Sequence, residues 1–280
     1  MRFRSTAGLV SVLAFAAGLM LGTPDPANSQ VPPRWAPAAT ASIHPGVMLF
    51  TDGSQCTANF VFTDGGSVYL GMAAHCAATG GSMDTDGCLT ESLPLGTPVE
   101  IAGATRPGSL AYSSWLTMQR VGERGGACLY NDFALVRVDP VDVGRVNPSV
   151  PHWGGPNGVK STAAPAMSQL YGYGNSSLRL GLTVLSPKSG VSLGTAGGGW
   201  THPVYTVTPG IPGDSGGGML DASGRAGGVL STITLWPLAL SNNYTDLRLA
   251  LDYVRRHGGP NVSLALGTEP FNGSQAPLGV

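Results

Sequence analysis

Short apolar runs separated by turn residues dominate the chain. NFVFT (59–63), SVYLGMAA (67–74) and FALVRV (133–138) are of this kind; the last sets Phe133, Leu135 and Arg137 against Ala134, Val136 and Val138, the two-residue period of a strand. A Pro/Gly-rich bridge, NPSVPHWGGPNG (147–158), interrupts the series. It resumes as QLYGYG (169–174), PVYTVT (203–208), GGML (217–220) and GGVLSTITL (227–235). The pattern predicts two β halves meeting near residue 155. One segment has helical period instead: Leu247, Leu251 and Val254 fall at i, i+4 and i+7 in YTDLRLALDYVRRH, ended by Gly258, Gly259 and Pro260. Residues 258–280 are rich in Gly, Asn and Ser and predict a loose tail. No internal repeat is visible.

Composition sharpens this all-β reading. The 280 residues include 42 glycines and 22 prolines, which suits many short strands joined by turns. The net charge is −1, only 11% of residues are charged, and Lys160 and Lys188 are the only lysines. Neither a nucleic-acid partner nor a polybasic membrane contact is indicated. At the N-terminus, Arg2 and Arg4 precede an apolar run from Ala7 to Leu21, with Ala27 and Ser29 at the −3 and −1 positions of a cleavage site before Gln30. These features predict a secretory signal over residues 1–29, because about 15 apolar residues fall short of the roughly 20 needed to span a bilayer. Residues 30–42 read as a Pro/Ala-rich linker or pro-segment. The expectation is a secreted monomer.

Export gives meaning to the four cysteines, since an oxidising compartment favours pairing. Cys56, Cys76, Cys88 and Cys128 allow three connectivities. Cys56 with Cys76 would close a loop around two segments that read as adjacent strands, leaving Cys88 with Cys128. Zinc is the competing use of four cysteines, but no C-x-x-C or C-x-x-H spacing occurs. No metal or organic cofactor is implied.

The stretch PGIPGDSGGGML (209–220) places five glycines around Ser215, with Asp214 just before it. A loop so poor in side chains leaves backbone N–H groups bare. That suits a nucleophile with an oxyanion pocket, and equally a plain glycine-rich hairpin. Of the five histidines, His44, His152 and His202 each adjoin a proline in loop-like context, and His257 closes the last helix, where a cation suits the dipole. His75 ends an apolar strand in GMAAHC, beside Cys76. Asp132 opens a strand in YNDFALVRV. Each is commonplace alone, but serine-based hydrolysis needs a base, a carboxylate to orient it, and donors for the oxyanion.

Taken together, AAHC, NDFALVRV and GDSGGG stand in the order His, Asp, Ser, and here the sequence resembles the trypsin/chymotrypsin-like serine proteases over roughly residues 43–257. His75 and Asp132 are 57 residues apart, and Asp132 and Ser215 are 83 apart, compact spacings of the kind seen in secreted bacterial members. The resemblance implies two antiparallel β-barrels, about 43–150 and 159–257, with a C-terminal α-helix. YGYG (171–174) looks like the glycine–aromatic–glycine turn of the second barrel, and GVLST (228–232) like the strand lining the cleft. The resemblance also implies the Cys56–Cys76 disulfide. It makes Ser215 the nucleophile, His75 the general base and then acid, Asp132 the group orienting His75, and the Gly213 and Ser215 N–H groups the oxyanion donors. Asp214 becomes a structural anchor. The expected activity is endopeptidase action on proteins or peptides through an acyl-enzyme.

The pattern also departs from the family. The anchor aspartate is paired in some members by a freed apolar N-terminus and in others by an internal arginine. Ile43 would serve after cleavage behind Ser42, but the usual following glycines are missing. Ser231, Thr232 and Ile233 hold the edge against which a substrate strand would pair, where the third place is usually glycine. Ile233 there should narrow the pocket mouth, and an inactive binding or scaffold protein of the same fold is the competing reading. A second competitor is a serine esterase of α/β-hydrolase type, because Gly213, Ser215 and Gly217 also fit G-x-S-x-G, with Asp246 or Asp252 and His257 following. Against it, GGML is no helix and β-α-β alternation is absent. Pro209 stands where members that cleave after Arg or Lys carry an aspartate at the pocket floor, so basic residues should be rejected in favour of small or medium uncharged ones.

Overall fold

The computed structural model describes Met1 and residues 33–80, 85–234 and 241–276. The expected export signal lies outside the described residues.

The first half contains β1 (Met48–Thr51), β2 (Ser54–Thr57), β3 (Val61–Asp64), β4 (Ser67–Met72), β5 (Pro98–Ile101), β6 (Gly108–Ser113) and β7 (Ala134–Arg137). The second contains β8 (Gln169–Tyr173), β9 (Pro187–Ser192), β10 (Thr201–Thr206), β11 (Gly218–Asp221), β12 (Ala226–Thr234) and β13 (Ser241–Asp246), followed by a short β14 (Ser263–Leu264). Strands β8–β13 form a closed antiparallel barrel in the order β10-β13-β12-β11-β8-β9. The first half, with β14 added at its edge, is an eight-stranded antiparallel sheet in the order β14-β3-β4-β7-β6-β5-β1-β2. It bends back on itself where the β2–β3 link meets β4: Asn59 N donates to Gly71 O, and Gly71 N to Phe60 O, each at 2.9 Å. This is the two-barrel trypsin-like arrangement, with only the second barrel fully closed.

Alternation decides which strands are central. β4 lies between β3 and β7, and Val68 to Met72 are all buried. In β7, Ala134, Leu135 and Val136 are all buried and only Arg137 is exposed, so the alternation read from FALVRV gives way to burial on both faces. Phe62 and Phe133 meet edge to face at 5.9 Å in the core of this half. The closed barrel has its own smaller core of Leu170, Val204, Met219, Leu230 and Tyr244.

Helix α3 (Leu247–Arg256) sits where its period predicts, capped by Asp246, whose side chain accepts from Leu249 N at 2.8 Å. Two further helices, α1 (Ser114–Val121) and α2 (Gly126–Tyr130), leave no such period, having only 8 and 5 residues. No helix among the described residues is long and apolar enough to cross a membrane. The tail differs from expectation. β14 pairs with β3, Val262 and Ala265 are buried, and Asn272 N donates to Trp153 O at 2.7 Å. Its order comes from distant backbone partners, which a Gly/Asn/Ser-rich composition does not reveal.

Both disulfides form as expected, Cys56–Cys76 and Cys88–Cys128. The first joins β2 to the turn after β4.

Candidate active site

His75 lies in the single 3-10 turn Ala74–Ala77 that follows β4. Cys76 fixes this turn to β2, and Thr51 Oγ1 donates to Cys76 O. Asp132 sits between α2 and β7, 4% exposed. It accepts from His75 twice, with the backbone N on Oδ1 at 2.8 Å and the ring Nδ1 on Oδ2 at 2.6 Å. One carboxylate therefore fixes both the ring and the peptide that carries it.

Ser231 supplies a third bond, Oγ to Asp132 Oδ2 at 2.6 Å. The pairing of β12 with β13 shifts register between Leu230 and Thr232, and this bulge at Ser231 accompanies a side chain turned toward Asp132. The sequence placed Ser231 on the substrate edge but gave no sign of this contact, because a bulge leaves no residue signature. Burial alone would raise the Asp132 carboxyl; the His75 charge and the bonds from His75 and Ser231 outweigh it and hold the group below the usual carboxylate range. For His75 burial acts downward, but the facing Asp132 wins and raises the imidazole above its ordinary value.

The turn carrying Ser215 precedes β11 and is shaped by Gly213 and Gly216, at φ +94° and +88°. These are left-handed conformations that other residues rarely adopt. Thr57 N donates to Ser215 O at 2.8 Å, and Gly216 N to Leu230 O at 2.7 Å. A side chain at Gly216 would collide with Thr57 O and lie 3.0 Å from Ala73 N, two residues before His75. The Ser215 turn thus presses directly on the strand end that leads to His75. Gly213 O accepts from Thr57 Oγ1 at 2.8 Å and from Gln55 Nε2 at 3.1 Å, which ties the turn to β2. Among the described residues, neither the Gly213 nor the Ser215 N–H is taken up by a protein acceptor. No hydrogen bond joins Ser215 Oγ to the His75 ring among them either; such contacts commonly tighten only with substrate in place.

Asp214 is fully buried. Its Oδ2 pairs with Arg179, with Lys188 Nζ at 2.9 Å, and with Ile211 N at 3.1 Å. Ile43 is elsewhere: buried, in a bridge to Val146, its N–H bonded to Arg145 O at 3.2 Å. The anchor is therefore paired from within the chain. Sequence reading singled out neither Arg179 nor Lys188, whose signal was no more than two cations in a chain that has few. Lys188 Nζ also donates to Thr208 O and Pro209 O, each at 3.2 Å. Ile233 is 41% exposed at the end of the β12 edge. A cavity of about 320 Å³ opens along this edge, lined by Tyr130, Ser231, Thr232, Ile233 and Asn243 among others.

The remaining candidates fall away from the site. His202 is not in a loop but buried in β10, its Nε2 2.8 Å from Asp246 Oδ2. Asp252 pairs with Arg248 and Arg255, and His257 packs on Tyr253 with ring centroids 4.1 Å apart. Ser215 is followed by strand β11, not a helix, so the α/β-hydrolase arrangement is excluded. Sulfur donors cluster with His75 and with Asp86, but all four sulfurs are tied up in disulfides, which removes them as metal ligands.

No family model matches the sequence, and no curated protein matches it. Among solved structures, the chain is similar to Thermobifida fusca protease A, with a TM-score of 0.52 and 17% identity over 80% of this chain and 99% of that one. A Nocardiopsis protease aligns at a TM-score of 0.48 and 20% identity over 79% of this chain and 98% of that one. At such identities what is shared is the fold.

Proposed function

We propose that this chain, whose fold is that of the trypsin/chymotrypsin-like serine proteases, is a secreted serine endopeptidase acting through Ser215, His75 and Asp132. The observation that carries the reading is the pair of hydrogen bonds from His75 to Asp132, set beside a glycine turn in which Gly216, next to Ser215, packs against the strand end before His75. His75 Nδ1 is occupied by Asp132, which leaves Nε2 to take the Ser215 proton as Oγ attacks a peptide carbonyl. The oxyanion forms facing the Gly213 and Ser215 N–H groups, donors whose individual loss typically costs about 3 kcal/mol of transition-state stabilisation. His75 then returns the proton to the leaving amine, and water repeats the sequence on the acyl-enzyme. The internal pairing of Asp214 with Arg179 and Lys188 supports an enzyme that needs no cleavage before Ile43. Two disulfides support export.

A second reading, an inactive binding protein, draws on Ile233 at the cleft edge and on the absence of a Ser215–His75 bond. Labelling of the exported chain by a fluorophosphonate, with mapping of the modified residue, separates the two. Modification at Ser215 is expected, abolished in Ser215→Ala, together with a fall of at least about a thousandfold in peptide hydrolysis. A chain left unlabelled is a binding protein.

A further inference from the structure

Five exposed aliphatic side chains are gathered in the loop between β8 and β9: Leu178, Leu180, Leu182, Val184 and Leu185. Apolar residues scattered singly over a surface are ordinary, but a contiguous group marks a place that meets something apolar. Leu180 carries two costs at once. Its side chain is 89% exposed, and its backbone lies at φ +52°, in the left-handed region that favours glycine and asparagine. A strained leucine held out in water points to a role outside the fold itself.

The loop is built as a self-contained knob. It consists of two 3-10 turns, Ser177–Arg179 and Thr183–Leu185, joined through Gly181. Leu180 N donates to Ser177 O at 3.0 Å, Leu182 N to Arg179 O at 2.9 Å, and Leu185 N to Leu182 O at 3.2 Å. Thr183 N and Ser186 N likewise donate to Gly181 O and Thr183 O, each at 2.9 Å. With these donors used internally, the loop offers no extended edge for a partner strand. Arg179 is the only ionisable residue between positions 175 and 187, and it is buried, its guanidinium turned inward to Asp214 and to Leu185 O. A carbon added at Gly181 would meet nothing within 4 Å, so the tip stands clear of the rest of the chain. The foot is firmly tied: Ser177 N donates to Gln55 Oε1 at 2.9 Å, and Ser176 Oγ to Pro212 O, three residues before Ser215.

We propose that residues 177–185 are an anchor that inserts into the surface of a lipid bilayer and holds the turn of Ser215 near it. Aliphatic tips, no outward charge and backbone donors satisfied within the loop are what entry into hydrocarbon demands. A second copy of the chain fits less well. A stable protein interface draws on about 20–30 residues a side, far more than this loop supplies, whereas fluid lipid closes around a small knob. Headgroup charge is not the attraction, since both lysines are engaged, Lys160 with Asp221 and Lys188 with Asp214, and the net charge of the chain is −1. The proposal stands whether or not Ser215 is a nucleophile.

Co-sedimentation of the exported chain with phosphatidylcholine vesicles tests this, once mass analysis confirms that residues 1–29 are gone, because the apolar run Ala7–Leu21 would itself enter lipid. The chain is expected to bind, no more tightly when phosphatidylglycerol is added and no less tightly in high salt. The double variant Leu180→Asn, Leu182→Gln should lower the partition coefficient at least about tenfold, since interfacial binding scales with the apolar area withdrawn from water. Both side chains are exposed, and asparagine suits the left-handed backbone at 180, so this variant keeps the fold. A second arm reads the loop directly. All four native cysteines are in disulfides, so Leu182→Cys places a single environment-sensitive fluorophore, whose emission should shift to the blue on vesicles. Binding that survives the double variant overturns the proposal, as does binding that requires phosphatidylglycerol or a label that stays water-like on bound chain. Failure to bind either vesicle, with self-association of the native chain that the double variant abolishes, assigns the knob to a second copy instead. Fluorophosphonate labelling of Ser215 is a separate readout: it can succeed without vesicle binding, and vesicle binding can persist in Ser215→Ala.

Discussion

Ser231 Oγ donates to Asp132 Oδ2 at 2.6 Å, on the same oxygen that receives His75 Nδ1. A residue of the closed barrel thus completes the shell of a carboxylate that belongs to the first sheet. With His75 N on Oδ1, Asp132 has both oxygens engaged while being almost wholly out of water, where an unsatisfied charge would be expensive.

Ser231→Ala removes one bond to a buried charge and leaves the other two. Hydrogen bonds to charged groups contribute about 1.5–3 kcal/mol, so kcat/KM should fall by roughly ten- to a hundredfold. Ser231→Thr, which keeps the hydroxyl, should recover part of the loss. Steady-state kinetics on a common peptide substrate decide this, and an alanine variant with unchanged kcat/KM would show that Asp132 is held without Ser231.

The pH profile follows from the direction of the His75 shift. Asp132 raises the imidazole above its ordinary value of 6.5, so the ring stays protonated to a higher pH than a free histidine. Only the neutral ring accepts the Ser215 proton. kcat/KM should therefore rise with pH along a limb whose midpoint lies above 6.5, and Asp132, shifted downward, stays ionised throughout. A midpoint at or below the ordinary histidine value would show that the Asp132 charge is not felt at the ring.

Arg179→Met leaves Asp214 with Lys188 as its remaining cation. Both Arg179 and Asp214 are buried, and breaking one arm of such a pair typically costs about 3–5 kcal/mol. Denaturant titration should show a loss in this range, and fluorophosphonate labelling of Ser215 should slow in the folded fraction. Stability equal to that of the native chain would assign the anchoring of Asp214 to Lys188.

Non-reducing mass mapping should recover the Cys56–Cys76 and Cys88–Cys128 linkages, with sequence separations of 20 and 40. Loop-closure arguments assign each on the order of 3–4 kcal/mol, so reduction should lower the denaturation midpoint markedly. Free thiols at Cys56 and Cys76 in the exported chain would count against both export and the seating of His75.

Much of the architecture was legible because strand alternation and turn residues are local signals. The runs around Phe60, Leu70, Leu135 and Leu230 all became strands, and the spacing of Leu247, Leu251 and Val254 located α3. What stayed hidden depends on contacts between distant segments. The bulge at Ser231, the convergence of Arg179 and Lys188 on Asp214, and the seating of residues 262–272 are settled by tertiary pairing. His202 misled for a related reason: its neighbour Pro203 suggests a loop, yet β10 accommodates the proline and buries the histidine against Asp246. The His, Asp and Ser motifs are different in kind. Their residues draw notice through chemistry and order along the chain, whatever their local conformation.

Gly216 has a consequence beyond shaping one turn. Because Thr57 O and Ala73 N leave no space for even a single carbon, the separation between the segment bearing Ser215 and the one bearing His75 is a contact distance, set as a feeler gauge sets a gap. Thermal expansion or inserted bulk at that seam would part the two segments while every strand kept its neighbours. Reactivity toward small probes should then decline at temperatures where the circular dichroism of the sheets is still intact, making Ser215 an early sensor of loosening between the halves.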